Sequence, residues 1–212
     1  DTNGSDPTDI SKSSNNGTKI GGVVINSTSG KFGDGAYFDG KDDLINVSFD
    51  DSLNFTGNYT ITVWVKPKLF TNYQNVLYGG GQFGVIVPAT GTWAAQHQQG
   101  GDVNGAPLTL GTWSFITVTR SGSNLTTYHN GIIQNSKPGN VTSVTHDTTI
   151  GADTINSRYF NGSIDELLIF NRSLSATEIE ALYNATASKL NNNFTDLTDG
   201  NHTFTAHVVD IA

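Results

Sequence analysis

The side chains that could catalyse a reaction are few and poorly spaced. Retaining glycosidases need two carboxyl groups about 5 Å apart, but two of the three glutamates fall in a predicted helix. The third, Glu166, directly follows Asp165 in a predicted strand. Alternation along a strand would turn these two carboxylates to opposite faces. We therefore expect no enzymatic activity, although a mechanism with two aspartates stays open.

Metal-dependent and serine hydrolysis also lack their signatures. The chain has no cysteine, and its five histidines, at positions 97, 129, 146, 202 and 207, show no zinc-binding spacing such as HExxH. No Gly-x-Ser-x-Gly motif supplies a nucleophile elbow. The sequence therefore gives no support for hydrolysis of either kind.

Asp165 interrupts an apolar run, Ile164 to Phe170. An acid within such a strand needs a partner, because burying an unpaired carboxylate is costly. That partner is either a metal ion or a backbone donor, and the residues alone leave both open.

Asparagine glycosylation is strongly indicated. With 22 asparagines and 45 serines plus threonines, chance would give about five Asn-x-Ser/Thr sequons, whereas the chain has thirteen. The sequons begin at Asn3, Asn16, Asn26, Asn46, Asn54, Asn58, Asn124, Asn140, Asn161, Asn171, Asn184, Asn193 and Asn201. We predict a densely glycosylated extracellular or cell-surface protein, as on an archaeal or eukaryotic exterior. Accidental matches in a threonine-rich β protein are the alternative.

Aromatic and amide side chains suggest a sugar-binding site in a glycine-rich stretch, residues 79–111, which we expect to form the loop-rich edge of the domain. The predicted ligand-binding residues are Tyr78, Trp93, Gln96, His97 and His129. Trp64 shares a strand face with Lys66, but we interpret Trp64 and Trp113 as core residues.

A short helix is predicted from its start signals. Ser175 and Glu178 form a capping box, and Leu174 with Ile179 forms a hydrophobic staple. The helix should begin at Ala176 and dock through Ile179, Leu182 and Tyr183.

Short β runs separated by turns precede that helix, which indicates an antiparallel sandwich. Asn130-Gly131 predicts a type I′ hairpin turn. The predicted strands are 23–25, 36–38, 44–47, 59–65, 76–78, 83–87, 93–97, 114–119, 125–129, 148–150 and 164–170.

The closing segment Gly162-Ser-Ile-Asp-Glu-Leu-Leu-Ile-Phe-Asn-Arg-Ser-Leu-Ser175 resembles the end of laminin-G-like jelly-roll domains, of the concanavalin A-like lectin and glucanase superfamily. Five earlier segments also resemble the family and occur in the family's order: 30–45, 59–67, 113–119, 125–131 and 149–152. The resemblance implies an all-β antiparallel β-sandwich jelly roll with one short C-terminal helix.

The resemblance also implies a structural calcium ion. In this family the acid of the Ile-Asp-Glu motif, here Asp165, would meet the N-terminal loop that begins at Asp9. Oxygens of Ser13 and Asn16 would complete the ligand shell. The alternative is that Asp165 accepts hydrogen bonds from loop amides without a metal.

The net charge of the chain argues against some classes of binding partner. The chain carries 11 basic and 19 acidic residues, a net charge of −8, so nucleic acid and anionic lipid are unfavourable partners. The chain contains no run of 18 apolar residues, so we predict no membrane insertion. Because the chain also lacks methionine, we interpret it as a mature or excised piece.

The sequence predicts two parts, a laminin-G-like sandwich at 1–190 and a linker plus β-strand at 191–212 that resembles part of an immunoglobulin-like repeat. We expect a non-catalytic carbohydrate-binding or adhesion module whose partner is a carbohydrate or glycoprotein. The alternative is a structural subunit of an extracellular filament or surface layer, in which the C-terminal strand bridges neighbouring subunits.

Overall fold

Two antiparallel sheets of seven strands each form a β-sandwich in the computed structural model, which describes residues 5–96, 101–139, 146–153, 155 and 157–187. The strands are β1 (Gly17–Ile20), β2 (Val24–Asn26), β3 (Gly35–Asp39), β4 (Leu44–Val47), β5 (Tyr59–Pro67), β6 (Gln74–Gly79), β7 (Phe83–Val87), β8 (Thr92–Gln96), β9 (Val103–Pro107), β10 (Ser114–Ser121), β11 (Asn124–His129), β12 (Ile132–Pro138), β13 (Thr148–Ile150) and β14 (Asn161–Phe170). One helix, α1 (Ala176–Ala187), follows them. The predicted fold class is confirmed.

The order of strands places late elements at the centre of both sheets. The first sheet runs β1-β4-β13-β6-β7-β8-β9, and the second runs β12-β11-β10-β5-β14-β3-β2. β14 lies between β3 and β5, with Ser163 opposite Tyr37 on one side and Lys66 on the other. The residues that face out from the second sheet therefore come from segments far apart in sequence.

The core between the sheets follows from alternation along the strands. On β5, Tyr59, Ile61, Val63 and Val65 belong to the cluster between the sheets. Trp64 lies on the other face, in a second cluster with Phe115, Tyr128 and the helix. The second sheet is thus apolar on both faces under α1, which explains why β5 is buried along almost its whole length.

Helix α1 begins at Ala176, as the sequence predicts. The Ser175 amide donates to Glu178 Oε2 at 2.8 Å, and the Glu178 amide donates to Ser175 Oγ at 3.2 Å, which completes the capping box. Leu174 and Ile179 are both buried against the second sheet. The helix therefore covers the part of that sheet's outer face that carries Trp64, Phe115 and Tyr128.

The hairpin turn is also confirmed. Asn130 and Gly131 both have left-handed φ angles, 51° and 79°, and His129 pairs directly with Ile132 across the two-residue loop. This geometry is that of a type I′ turn.

Two strands lie at positions where the sequence analysis predicts no strand. β1 falls in the polar stretch before residue 21, and β9 falls in the glycine-rich stretch 79–111. Both are edge strands of the first sheet. An edge strand pairs on one side only, so it does not need a continuous apolar run. The predicted linker and strand at 191–212 lie outside the described residues.

Candidate ligand-binding site

Trp93, predicted to bind a sugar, is instead a core residue. It is fully buried in the cluster between the sheets, and a Cβ at Gly105 would overlap its ring. Its Nε1 donates to His129 Nδ1 at 3.3 Å. The prediction missed this because the inward or outward direction of β8 depends on its pairing with β7. Trp93 offers no free ring face to a ligand.

Of the other predicted sugar-binding residues, the structure brings Tyr78 and Gln96 to one face of the first sheet, on either side of Gly84, and places His129 elsewhere. Tyr78 and Gln96 each pair with Gly84, on neighbouring strands of the first sheet. Both lie in the row next to the core residues Leu77 and Ala95, so they face outward. His129 lies inside, against Trp93, where burial lowers its pKa. His97 lies outside the described residues.

The predicted calcium ligands are likewise divided between two places. The Asp9 carboxylate accepts hydrogen bonds from the Ser11 amide and hydroxyl and from the Asn15 amide. Asn16 Oδ1 in turn accepts from the Asp9 amide. These bonds hold the Asp9 carboxylate within its own loop, before an edge strand of the first sheet. Ser13 is exposed in the same loop.

Asp165 lies on the outer face of the second sheet, away from that loop. Its Oδ2 accepts from the backbone amides of Lys31, at 2.6 Å, and of Phe32, at 3.0 Å. The carboxylate thus ties the loop before β3 to the centre of the sheet, which is the metal-free alternative. Calcium at the predicted residues stays a prediction without an assembled ligand set.

The predicted separation of Asp165 and Glu166 onto opposite faces is wrong in its premise. A bulge interrupts the pairing between Asp165 and Leu168, and Glu166 has a left-handed φ of 49°. Burial and then the negative charge of Asp165 raise the pKa of Glu166. A bulge breaks the alternation from which the sequence argument started.

Three other carboxylates approach one another where β3 turns into β4. Ligand atoms of Asp39, Asp42 and Asp43 lie within 4.8 Å of one another. Asp43 is buried and accepts from the amides of Gly22 and Asp39, and Asp39 pairs with Lys41 at 3.5 Å. Protein donors therefore already engage two of the three acids.

An open groove of about 660 Å³ lies on the outer face of the second sheet, outside the cluster that α1 covers. We call it the β5–β14 groove. Its lining residues are Val24, Asn26, Thr28, Ser29, Tyr37, Lys66, Pro67, Lys68, Leu110, Gly111, Gly162 and Ser163.

Pairing of four adjacent strands builds the floor and one wall of the groove. Val24, Tyr37, Ser163 and Lys66 form one row across β2, β3, β14 and β5. At about 4.8 Å per strand the row spans about 14 Å. Ser163 is small and buried between its larger neighbours, which leaves a depression along the row.

The opposite wall is the loop before β10. The Gly111 amide donates to the Pro67 carbonyl at 2.7 Å, and Gly111 has a φ of 72°, which favours glycine. This turn holds the neighbouring Leu110 over the end of β5, with 46% of the residue exposed. Val24 on the facing wall is 44% exposed. Apolar contacts are thus available from both sides.

Two lysines and the Tyr37 ring line the groove, and the Trp113 ring contacts one of these lysines from outside it. Lys68 Nζ donates to the Tyr37 hydroxyl at 2.8 Å and lies 5.1 Å from the centroid of that ring. Lys66 Nζ lies 5.1 Å from the centroid of the Trp113 ring. The sequence held one signal of this site, lysines two residues apart at the end of a strand in an acidic chain, but the distant segments that complete the site gave none.

A family model described as the concanavalin A-like lectin/glucanases superfamily matches residues 39–180, more than half of the chain. A comparison with curated proteins finds no match. Within the described ranges, no helix has the length and apolarity needed to cross a membrane.

Solved structures with the same fold include binding domains of toxins and a domain of an enzyme. The binding domain of Paraclostridial Mosquitocidal Protein 1 is similar at 19% identity and a TM-score of 0.70, covering 84% of this chain and 49% of that one. The botulinum neurotoxin serotype G binding domain is 16% identical with a TM-score of 0.69, and the match covers 85% of this chain and 49% of that one. This chain therefore spans about half of those toxin domains.

Domain 4 of AbnA, an extracellular arabinanase of family GH43 from Geobacillus stearothermophilus, is similar over almost its whole length. It is 20% identical with a TM-score of 0.63, covering 79% of this chain and 88% of that one, and its structure is a complex with arabinotriose. At these identities the likeness establishes the fold.

Proposed function

Because this chain belongs to the concanavalin A-like lectin/glucanases superfamily, we propose that it is a non-catalytic carbohydrate-binding module whose ligand lies in the β5–β14 groove. The observation that carries the proposal is the groove itself. Its volume of about 660 Å³ falls in the usual range of ligand sites, about 300–1,000 Å³.

The groove's lining suits the two kinds of surface that a sugar presents. A sugar ring has apolar C–H faces, which can pack against the Tyr37 ring and the exposed side chains of Val24 and Leu110. Its hydroxyl groups can pair with the side chains of Thr28 and Ser163, which also line the groove. Polar groups among apolar ones fix a ligand's orientation.

The enzyme domain that resembles this chain supports the same class of ligand. Domain 4 of AbnA binds arabinotriose, and this chain spans 88% of it. We extend carbohydrate binding, though not the identity of the sugar, to this chain.

The absence of catalysis is part of the proposal. Asp165 and Glu166 lie close enough for one charge to raise the other's pKa, an arrangement also found in active sites. However, backbone amides occupy the Asp165 carboxylate, and neither acid lines the groove. The pair is better explained as a structural bulge.

We also propose that the module is an extracellular glycoprotein. Of the thirteen sequon asparagines, nine lie among the described residues, and none of those nine is buried. Five of them, Asn16, Asn58, Asn124, Asn171 and Asn184, are exposed, which supports attachment of a bulky glycan there. Mass spectrometry of peptides from protein made in a glycosylating host would test this, and unmodified asparagines throughout would contradict it.

Self-assembly is a second candidate, since two neighbouring apolar residues are exposed on an edge strand. Ile132 and Ile133 of β12 are 67% and 58% exposed, and edge strands are templates for further pairing. Sedimentation that shows only monomers at high concentration would rule out this candidate.

Groove binding can be tested with a glycan array followed by titration of the best ligand. We expect Tyr37→Ala to weaken binding about tenfold, equivalent to about 1.4 kcal/mol. Tyr73→Ala removes an exposed tyrosine outside the groove and should have no effect. Binding to no saccharide, or equal loss in both variants, would refute the proposal.

A further inference from the structure

The β5–β14 groove is positively charged in a chain whose net charge is −8. Lys66 and Lys68 both line it. Ion pairs among the described residues include Lys41 with Asp39, Arg158 with Asp153 and Arg172 with Glu178, and none of these involves Lys66 or Lys68. Neither lysine of the groove is neutralised by a described carboxylate.

Aromatic rings hold both ammonium groups without cancelling their charge. Lys68 Nζ donates one hydrogen bond to the Tyr37 hydroxyl, and Lys66 Nζ lies over the Trp113 ring. A cation over a ring is stabilised by the ring's quadrupole and keeps its full charge. Since an ammonium group has three donors, hydrogen bonds to a ligand remain available on each lysine.

The acids closest along the neighbouring strands are already engaged. Asp39, two residues beyond Tyr37 on β3, pairs with Lys41. Asp165, two residues beyond Ser163 on β14, accepts three backbone amides. These acids therefore have local partners, whereas the two lysines have none of opposite charge.

We infer that the saccharide bound in the groove is acidic, carrying carboxylate or sulfate groups that pair with the ammonium groups of Lys66 and Lys68. This inference rests on the proposed function. Lys66 and Lys68 lie two residues apart on one side of the chain, about 6.6 Å along the strand direction. The Lys66 ammonium group lies toward Trp113 and the Lys68 ammonium group toward Tyr37, so each can bind an anionic group of a saccharide that packs on Tyr37.

Electrostatic attraction gives this mode of binding a measurable salt dependence. Charges near a surface are screened over about 10 Å at 0.1 M salt. Affinity for an acidic saccharide should therefore fall as salt rises, whereas affinity for a neutral saccharide in the same groove should hardly change.

The test compares three related trisaccharides by calorimetry at about 0.05 M and about 0.5 M salt. The probes are trigalacturonate, its carboxyl-reduced neutral counterpart, and that neutral trisaccharide carrying one sulfate. The variants are Lys66→Met and Lys68→Met, which keep an apolar stem. Lys12→Met, in the exposed loop before β1, is the control for net charge, and melting temperature is the control for folding.

We expect at least one acidic probe to bind tenfold or more tightly than the neutral one at low salt. Each groove variant should lose about fivefold, and Lys12→Met should lose nothing. The more tightly bound acidic probe then identifies carboxylate or sulfate as the recognised group.

Two results would overturn the inference and leave the proposed function standing. One is equal binding of acidic and neutral probes that Tyr37→Ala weakens. The other is a preference for acidic probes that survives both lysine variants. If no saccharide binds in this assay or on a glycan array, the proposed function fails together with the inference.

Discussion

Asp165 should stabilise the fold through backbone amides, and replacing it with alanine is the most direct test. The variant leaves the amides of Lys31 and Phe32 without the acceptor they have at 2.6 and 3.0 Å. Hydrogen bonds to a charged group contribute about 1.5–3 kcal/mol each. Because this site is only partly buried, we discount the pair to about 2 kcal/mol.

That loss corresponds to a fall in melting temperature of about 4–8 °C for a domain of this size. Asp165→Asn keeps one acceptor oxygen but no charge, so we expect about half the effect. Asp51→Ala removes an exposed aspartate after β4 and serves as the control. Circular dichroism melts should be recorded with EDTA and with calcium chloride.

The amide explanation requires the same loss of stability in both buffers. If calcium raises the melting temperature of the unmodified protein but not that of Asp165→Ala, the carboxylate is a metal ligand and our reasoning is wrong. An unchanged melting temperature in both buffers would show instead that the two amide contacts contribute little.

Three further predictions concern the helix and the contact between the sheets. Ser175→Ala removes the acceptor of the Glu178 amide and should cost about 1 kcal/mol, seen as a lower midpoint in urea; an unchanged midpoint would contradict the capping role. Burial lowers the pKa of His129, so the neutral ring stabilises the fold fully above about pH 6.5 and less at lower pH. The melting temperatures of the protein and of His129→Gln should therefore converge as the pH falls from about 7.5 to 5, and a constant difference would refute this. Gly105→Ala would place a methyl group within the Trp93 ring and should cost about 1–3 kcal/mol; a melting temperature equal to that of the unmodified protein would show that β9 can shift.

Local signals allowed the sequence to predict much of the fold. The helix start at Ala176 and the turn at Asn130-Gly131 depend on residues within one turn of each other. Strands such as Phe83–Val87 form compact apolar runs, so their existence also needed no tertiary information. The edge strands β1 and β9 were missed because neither carries a compact apolar run.

The site could not be predicted in the same way, because it depends on which distant strands become neighbours. Ser163 lies between Tyr37 and Lys66 only because β14 inserts between β3 and β5. Trp93 appeared suited to a sugar by residue type, but its strand turns it inward. Residue type suggested the chemistry, and the pairing of remote strands decided where that chemistry lies.

The central positions of β13 and β14 constrain the order of folding. Without β13 the first sheet separates into β1-β4 and β6-β7-β8-β9, and without β14 the second separates into β12-β11-β10-β5 and β3-β2. Neither half-sheet of a pair can bond to the other until residues 148–170 have been synthesised. The strands that precede β13 therefore keep unpaired edges until that point. Contacts between residues so far apart in sequence also make folding slow. A ribosome-bound chain that ends before β14 should remain sensitive to protease, whereas a longer chain from which β14 has emerged should be protected.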